Sequence, residues 1–309
     1  MASGDPLDDG CNVRMVASMP WMPNRVLRGM MMKLRGLAAA AGAGLAAGLT
    51  AEAAGLRAFR RLVRSDVQAL VGQASQRKTS VVTEDMLGGL PEPVQRYLRY
   101  AGVVGKPLAG TVYLRQQGRV RLAGQRWIPL QAQEWFSVRP PGFVWDATMR
   151  VAGIPVGRAR DMYQGGQGRM LVKVASLVTV ADAEGEEMDQ GSMMRYLSEV
   201  MWFPSAFLED NISFQAIDAA SARVTLSDHG KTANATLFFD SAGRLTNFVA
   251  RRYAIAGKSR ELRTWSVPVT GYGEFEGLRL PVRVKAVWQL AEGDREDIDV
   301  TLTDLHYDT

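Results

Sequence analysis

From Gly110 onward, apolar and polar side chains alternate with a period of two, the spacing of strands that bury one face. The runs TVYLRQQGRVRL, WIPLQAQEWFSV, GFVWDATMRV, GRMLVKVASLVTVAD, ARVTLSD, KTANATLFFD, RLTNFVARRYAI, SRELRTWSVPVT, RLPVRVKAVWQL and DIDVTLTDLHY predict about ten strands. Turn formers such as LAGQ, RPPG, YQGGQG, SDHGK, DSAG and FEGL separate them at roughly 8 to 14 residues, with no long helix between. That order predicts an antiparallel meander rather than βαβ units. In VKAVWQ, Val284, Ala286 and Trp288 share a face with Val282, opposite Arg283, Lys285 and Val287, as in a sheet wetted on one side.

One segment breaks the alternation. From Asp189 the chain reads DQGSMMRYLSEVMW, and helical spacing puts Met193, Met194, Leu197, Val200 and Met201 on one face, with Arg195, Ser198 and Glu199 mostly opposite. Pro204 ends that helix, and PSAFLED begins another turn. A wide sheet cannot leave an apolar face bare, so a broken helix at 189–209 is expected to cover it. The fold predicted is mainly β (α+β): an antiparallel curved sheet or half-barrel covered by short helices, as one domain over 106–309.

Ahead of it, 57–105 reads as a helical stalk and linker. Leu56–Gln76 carries Leu56, Phe59, Leu62, Val63, Val67 and Leu70 at helical spacing. Thr83 is a suitable N-cap for EDML, and PEPVQRYLRYAG has proline at its start and Gly102 beyond its end.

Residues 32–56 carry the question of location. Lys33 and Arg35 precede a run of Ala, Gly and Leu, and Ala51-Glu52-Ala53 has the form of a cleavage site. The segment reads as a signal peptide cut after Ala53, or as an uncleaved anchor from Gly36 to Leu56, weakly apolar and holding Glu52. Its glycines argue against an Ala-rich soluble helix. Residues 1–31 lack periodicity and read as a disordered leader or as sequence upstream of a start at Met30–Met32. The expected location is the bacterial envelope, periplasmic or anchored to the inner membrane.

Composition narrows the chemistry. The net charge of +5 is concentrated at Arg25, Arg28, Lys33, Arg35, Arg57, Arg60, Arg61 and Arg64, so the β domain carries no basic stripe for nucleic acid. A single cysteine, Cys11, permits neither an intrachain disulfide nor a thiolate cluster. His229 falls in a turn and His306 near the end of the chain, without metal spacing. No G-x-S-x-G elbow is present. GAGLAAG follows no strand, and GGQG sits between strand-like runs, so neither is a nucleotide cradle. The acidic run EGEEMDQ lacks a calcium-loop pattern and suits the start of the following helix. No cofactor or metal is expected.

What remains is aromatic and sulfur-rich. Trp135, Trp145, Met149, Met193, Tyr196, Leu197, Val200, Trp202, Phe207 and Trp288 are the candidate lining of an apolar ligand site, with Asp146, Arg195 and Glu199 as a polar rim. The same residues would serve equally as core, and Arg195 and Glu199, at i and i+4, suit a pair.

The phrases PEPVQRYLRYAG, PPGFVWDATM, RARDMYQGGQGRM, RYLSEVMWFPSAFL and TGYGEFEGLRLPVRVKAVW, within about Leu90 to Tyr307, resemble a bacterial envelope-associated family of unknown function. More distantly, a Y-x-x-G hairpin and a late Gly-Leu-x-Leu-Pro strand resemble the LolA/LolB half-barrel carriers of lipoproteins. That resemblance implies a sheet curled around an apolar cavity and closed by short helices. The expected function is non-catalytic binding or carriage of a lipophilic molecule, with a lipid or other apolar ligand as partner. The alternatives are an envelope scaffold with a solid core that binds a protein partner, and an enzyme using Asp146, Arg195 or Glu199.

Overall fold

The computed structural model describes residues 45–74, 80–122, 126–256, 259–290 and 293–308. The leader 1–31 and the 32–44 part of the signal or anchor segment lie outside them. Among the described residues no helix is long and apolar enough to cross a membrane.

Among the described residues, thirteen antiparallel strands form one sheet. β1 (Thr111–Leu122), β2 (Arg126–Ser137), β3 (Gly142–Val151), β4 (Ile154–Gln164), β5 (Gln167–Val174) and β6 (Val178–Glu184) make a first meander. β7 (Ile212–Asp218), β8 (Ser221–Asp228), β9 (Lys231–Phe239), β10 (Leu245–Ala256), β11 (Ser259–Phe275), β12 (Leu278–Leu290) and β13 (Gly293–Tyr307) make a second. The strand order is 6-5-4-3-2-1-13-12-11-10-9-8-7, so the meanders join through the β1–β13 pair, with Val112 opposite Tyr307 and Val120 opposite Ile298.

The predicted class holds, with more strands than the pattern announced. GRMLVKVASLVTVAD is two strands, turning at Ala175 and Ser176, whose φ of 47° and 55° lie in the left-handed region without a glycine to signal it. β4 and β7 are additional. In β4, Arg160 points to one face and Asp161 to the other, which hides the alternation.

Because β6 and β7 are opposite edges of the sheet, the segment between them crosses from edge to edge. It holds α3 (Glu186–Glu199) and two 3-10 turns, Val200–Trp202 and Pro204–Leu208. α3 touches strands of both meanders. Gly168 of β5 lets it approach closely: a Cβ there would lie 2.6 Å from the Met188 carbonyl. Beside it the wings meet, as the β4–β5 turn at Gly166 reaches the β8–β9 turn, and Lys231 donates to the Gly166 carbonyl (2.8 Å) while pairing with Asp189 of α3. The sheet therefore curls around α3.

This explains a helix whose second half, from Ser192 on, is enclosed on every side, while Glu186 and Gln190 at its start are exposed. Met193, Met194, Tyr196 and Leu197 are buried, and so are Ser198 and Glu199 on the face expected to be polar. Tyr196 and Phe203 pack on Phe136 with ring centroids 6.4 and 4.8 Å away. α2 (Glu92–Ala101), closed by Gly102 at φ 82°, seats Tyr97 against Phe207 and Phe239 in the same core.

A separate, smaller core lies on the convex face. There α1 (Leu45–Gln73) buries Phe59, Val63 and Leu70 against Val144 and Leu171. Arg160 ties the helix to β4 through Asp66 at 2.6 Å.

Candidate functional site

The concave face is closed at one end and grades open toward the other. On β2, Phe136, Glu134, Ala132 and Leu130 point inward and are buried, whereas Ile128, next in that phase, is half-exposed. The same gradient runs along β1 from Val112 and Leu114 to Val120, along β13 from Leu305, Leu302 and Val300 to Ile298, and along β12 from Val284 to Ala286 and Trp288. These residues stand beside one another across the sheet: Ile128 opposite Val120, Val120 opposite Ile298, Ile298 opposite Ala286. Trp288 pairs with Trp265 of β11. The result is a continuous apolar band on the inner wall that the helices leave partly uncovered.

Below the helices the inner wall carries a buried ionic cluster. The Arg195 guanidinium is held by three carboxyls: Nε to Glu199 at 2.9 Å, Nη1 to Asp161 at 2.8 Å and Nη2 to Glu134 at 2.8 Å. It lies over the rings of Trp145 (4.7 Å) and Phe143 (4.9 Å). Gln116 donates to Glu134 (3.3 Å) and accepts from the Trp145 indole (3.1 Å). Arg252 of β10 adds a second guanidinium, 4.8 Å over Trp265.

Three carboxyls against Arg195 and Arg252 leave one negative charge in a site that cannot solvate it, so a proton is retained. Burial, then the neighbouring Glu199, pushes Glu134 well above the usual carboxylate range despite Arg195. Burial also raises Glu199 and Asp161 against the pull of Arg195. Among the described residues Glu199 Oε2 has no other donor, and a proton shared with Glu134 supplies one. Arg252 is pushed down to about 10 by its own burial.

The structure divides the residues singled out from sequence. Trp145, Met149, Met193, Tyr196, Leu197, Val200, Trp202 and Phe207 are buried in the interior, and Trp288 is half-buried in the open band. Arg195 and Glu199 pair with each other inside the cluster. Trp135 and Asp146 lie on the opposite, convex face. Trp135 packs at 5.4 Å on Tyr113, beside an open groove of about 610 Å³ along α1. Asp146 is raised by burial, with Arg158 and Arg60 opposing, and one of its oxygens has no hydrogen-bond partner among the described residues.

Glu134, Gln116 and Arg252 were missed. Glu134 and Arg252 had a signal, since each is charged in the apolar phase of its strand: Ala132-x-Glu134-x-Phe136 and Phe248-x-Ala250-x-Arg252.

Fold and site together define a strongly curved antiparallel β half-barrel with an internal helix, a buried ionic floor and an apolar band at its open end. The chain belongs to the family described as "Family of unknown function (DUF6544)", which matches residues 80–299. No curated protein gives a significant match to the sequence. Among solved structures, it is similar to a LolA superfamily protein from Nitrosomonas europaea: 10% identity, 74% of this chain and 95% of that one covered, TM-score 0.40. It is also similar to a DUF1329 family protein from Desulfovibrio piger, at 11% identity, 70% and 92% coverage and a TM-score of 0.36. Likenesses of this degree carry nothing about activity or ligand.

Proposed function

We propose that this protein binds a lipophilic molecule, without catalysis, at the open end of its half-barrel in the bacterial envelope. The observation that carries the reading is the burial gradient on the concave face. Inward-facing Val120, Ile128, Ala286, Trp288 and Ile298 are half-exposed side by side, whereas the residues that continue their strands are buried. A contiguous apolar band in a concavity is the surface that gains most from an apolar ligand, at roughly 25 cal/mol per Å² before ordering costs. The envelope setting draws on the sequence of 32–56. The Arg195 cluster makes the floor rigid, since its guanidinium is already committed to three carboxyls.

The test is native mass spectrometry with lipid extraction of the expressed protein, alongside binding of a fluorescent hydrophobic probe. The expected result is a co-purifying lipophile and a bound probe, with probe binding lost in Ile298→Asp. Neither species with the wild-type chain would overturn the reading.

A second reading, a protein-interaction module with a solid core, draws on the exposed Val151 (50%) and Ile154 (65%) flanking the β3–β4 turn. Its mark is absence of probe binding together with cross-links from that turn to another envelope protein.

A further inference from the structure

We infer that the open end of the half-barrel docks on an anionic phospholipid bilayer, through the tip of the β3–β4 hairpin and a stripe of arginines on α1. This goes beyond the ligand reading, because such a surface docks with the apolar band filled or empty.

The open end leads directly to an exposed apolar tip. Inward-facing Leu130 of β2 stands opposite Met149 of β3, so Val151 is the next inward position on β3, level with Ile128 of the open band. Val151 pairs with Ile154 across the β3–β4 turn, and both are exposed. The neighbouring β5–β6 turn adds exposed Leu177, and its Ala175 N–H donates to the Val156 carbonyl at the base of the same hairpin (3.1 Å).

α1 runs along the convex face from this end. Near its start, a Cβ on Gly55 would lie 2.5 Å from the Ser176 carbonyl in the β5–β6 turn. Near its finish, Leu70 meets Gly142, where β3 begins at the closed end. Residues 45–54 of the helix therefore continue past the β5–β6 turn on the open side, by about 15 Å at 1.5 Å per residue. The preceding chain joins at Leu45, so it arrives from the same side and brings Lys33 and Arg35 with it.

Charge decides what the tip meets. Arg57, Arg61 and Arg64 recur at i, i+4 and i+7 on the side of α1 opposite Phe59 and Val63, and none makes an ion pair among the described residues. The acids of α1, Glu52 and Asp66, fall in phase with Phe59 on the sheet side, where Arg160 holds Asp66. Asp146 faces Arg158 and Arg60 on that same convex wall, which accounts for those two arginines. The stretches 53–65 and 147–158 hold six arginines and no acid. Guanidiniums at headgroup level with branched apolar side chains at the tip suit phosphates above acyl chains. Each arginine near an anionic bilayer strengthens partitioning roughly fivefold, and salt screens the effect. A lipophile leaving such a bilayer meets Val151 and Ile128 before the rest of the band.

The experiment measures co-sedimentation of the full chain with vesicles of phosphatidylcholine alone, or of phosphatidylcholine and phosphatidylglycerol in equal parts. The wild type is expected to bind the anionic vesicles at least about tenfold more tightly, with the preference falling as salt rises. Arg57→Gln, Arg61→Gln and Arg64→Gln combined should remove most of that preference while leaving hydrophobic-probe binding in solution intact. In a Cys11→Ser background, an environment-sensitive dye on Ile154→Cys should shift to the blue on anionic vesicles. The same dye on Gln167→Cys, at the β4–β5 turn of the opposite end, should not. Thermal unfolding checks that each variant is folded, and the two dye-labelled chains carry the test should the triple variant not fold. Equal binding to both vesicles, or full preference kept by the triple variant, would overturn the docking surface and leave the ligand reading standing. So would binding without a dye shift at Ile154, the mark of tethering by 32–56 alone. Cross-links from Ile154 to a protein, with no vesicle binding, would overturn it in favour of a protein partner.

Discussion

At the scale of single residues, Arg195 is the side chain with most depending on it. Truncating it to methionine strands Glu134, Asp161 and Glu199 together in the interior, and losing one partner of a buried ionic set costs about 3–5 kcal/mol. Urea unfolding of Arg195→Met should show that loss at neutral pH and less of it in acid, where the carboxyls are neutral. Glu134 gives a pH signature of the opposite sense to ordinary carboxylates. Its folded form holds a proton more tightly than the unfolded chain, so its contribution is complete below the usual carboxylate pKa. That contribution is then lost as pH rises through the elevated folded value. Glu134→Gln, a permanent donor in place of the shared proton, should flatten the fall in melting temperature between acid and neutral pH. A variant as steep as the wild type would show that another group holds the proton.

At the scale of elements, α3 is a helix whose surroundings could not be read from its own sequence. Its i, i+3, i+4 pattern revealed the helix and the Arg195–Glu199 pair. The carboxyls that complete the pair, Glu134 and Asp161, arrive from β2 and β4, and no local spacing announces that. Strands were legible where alternation was clean, as in β1, β2 and β9, and lost where charge sat on both faces, as in β4. The close seat of α3 on Gly168 makes a testable demand. Gly168→Val should destabilise by about 1–3 kcal/mol through overpacking, seen as a lower urea midpoint at unchanged slope. α1 behaves differently because its core is separate. Phe59→Ala should raise hydrogen exchange along α1 while leaving β1 and β13 protected. Uniform loss of protection would mean that helix and sheet unfold as one.

At the scale of the whole molecule, two local meanders share one distant seam. Every strand pair except β1–β13 links neighbours in sequence, so the curl of the sheet depends on the seam and on α3 spanning the edges. A meander was readable from turn spacing. That its first and last strands would pair was not, because nothing in either run marks its partner.

The seam has a consequence for how the chain can be rewired. Tyr307 stands opposite Val112, and Asp308 hydrogen-bonds back to Thr111, so the two ends of the β domain lie within a few ångströms of each other. With the 80–109 segment supplied as a separate peptide, because Tyr97 and Leu98 of α2 belong to the same core, a short glycine linker from Asp308 to Gly110 would join β13 to β1, with new termini cut at the two-residue Ala219–Ala220 turn between β7 and β8. In such a permutant the β1–β13 pair becomes an ordinary hairpin.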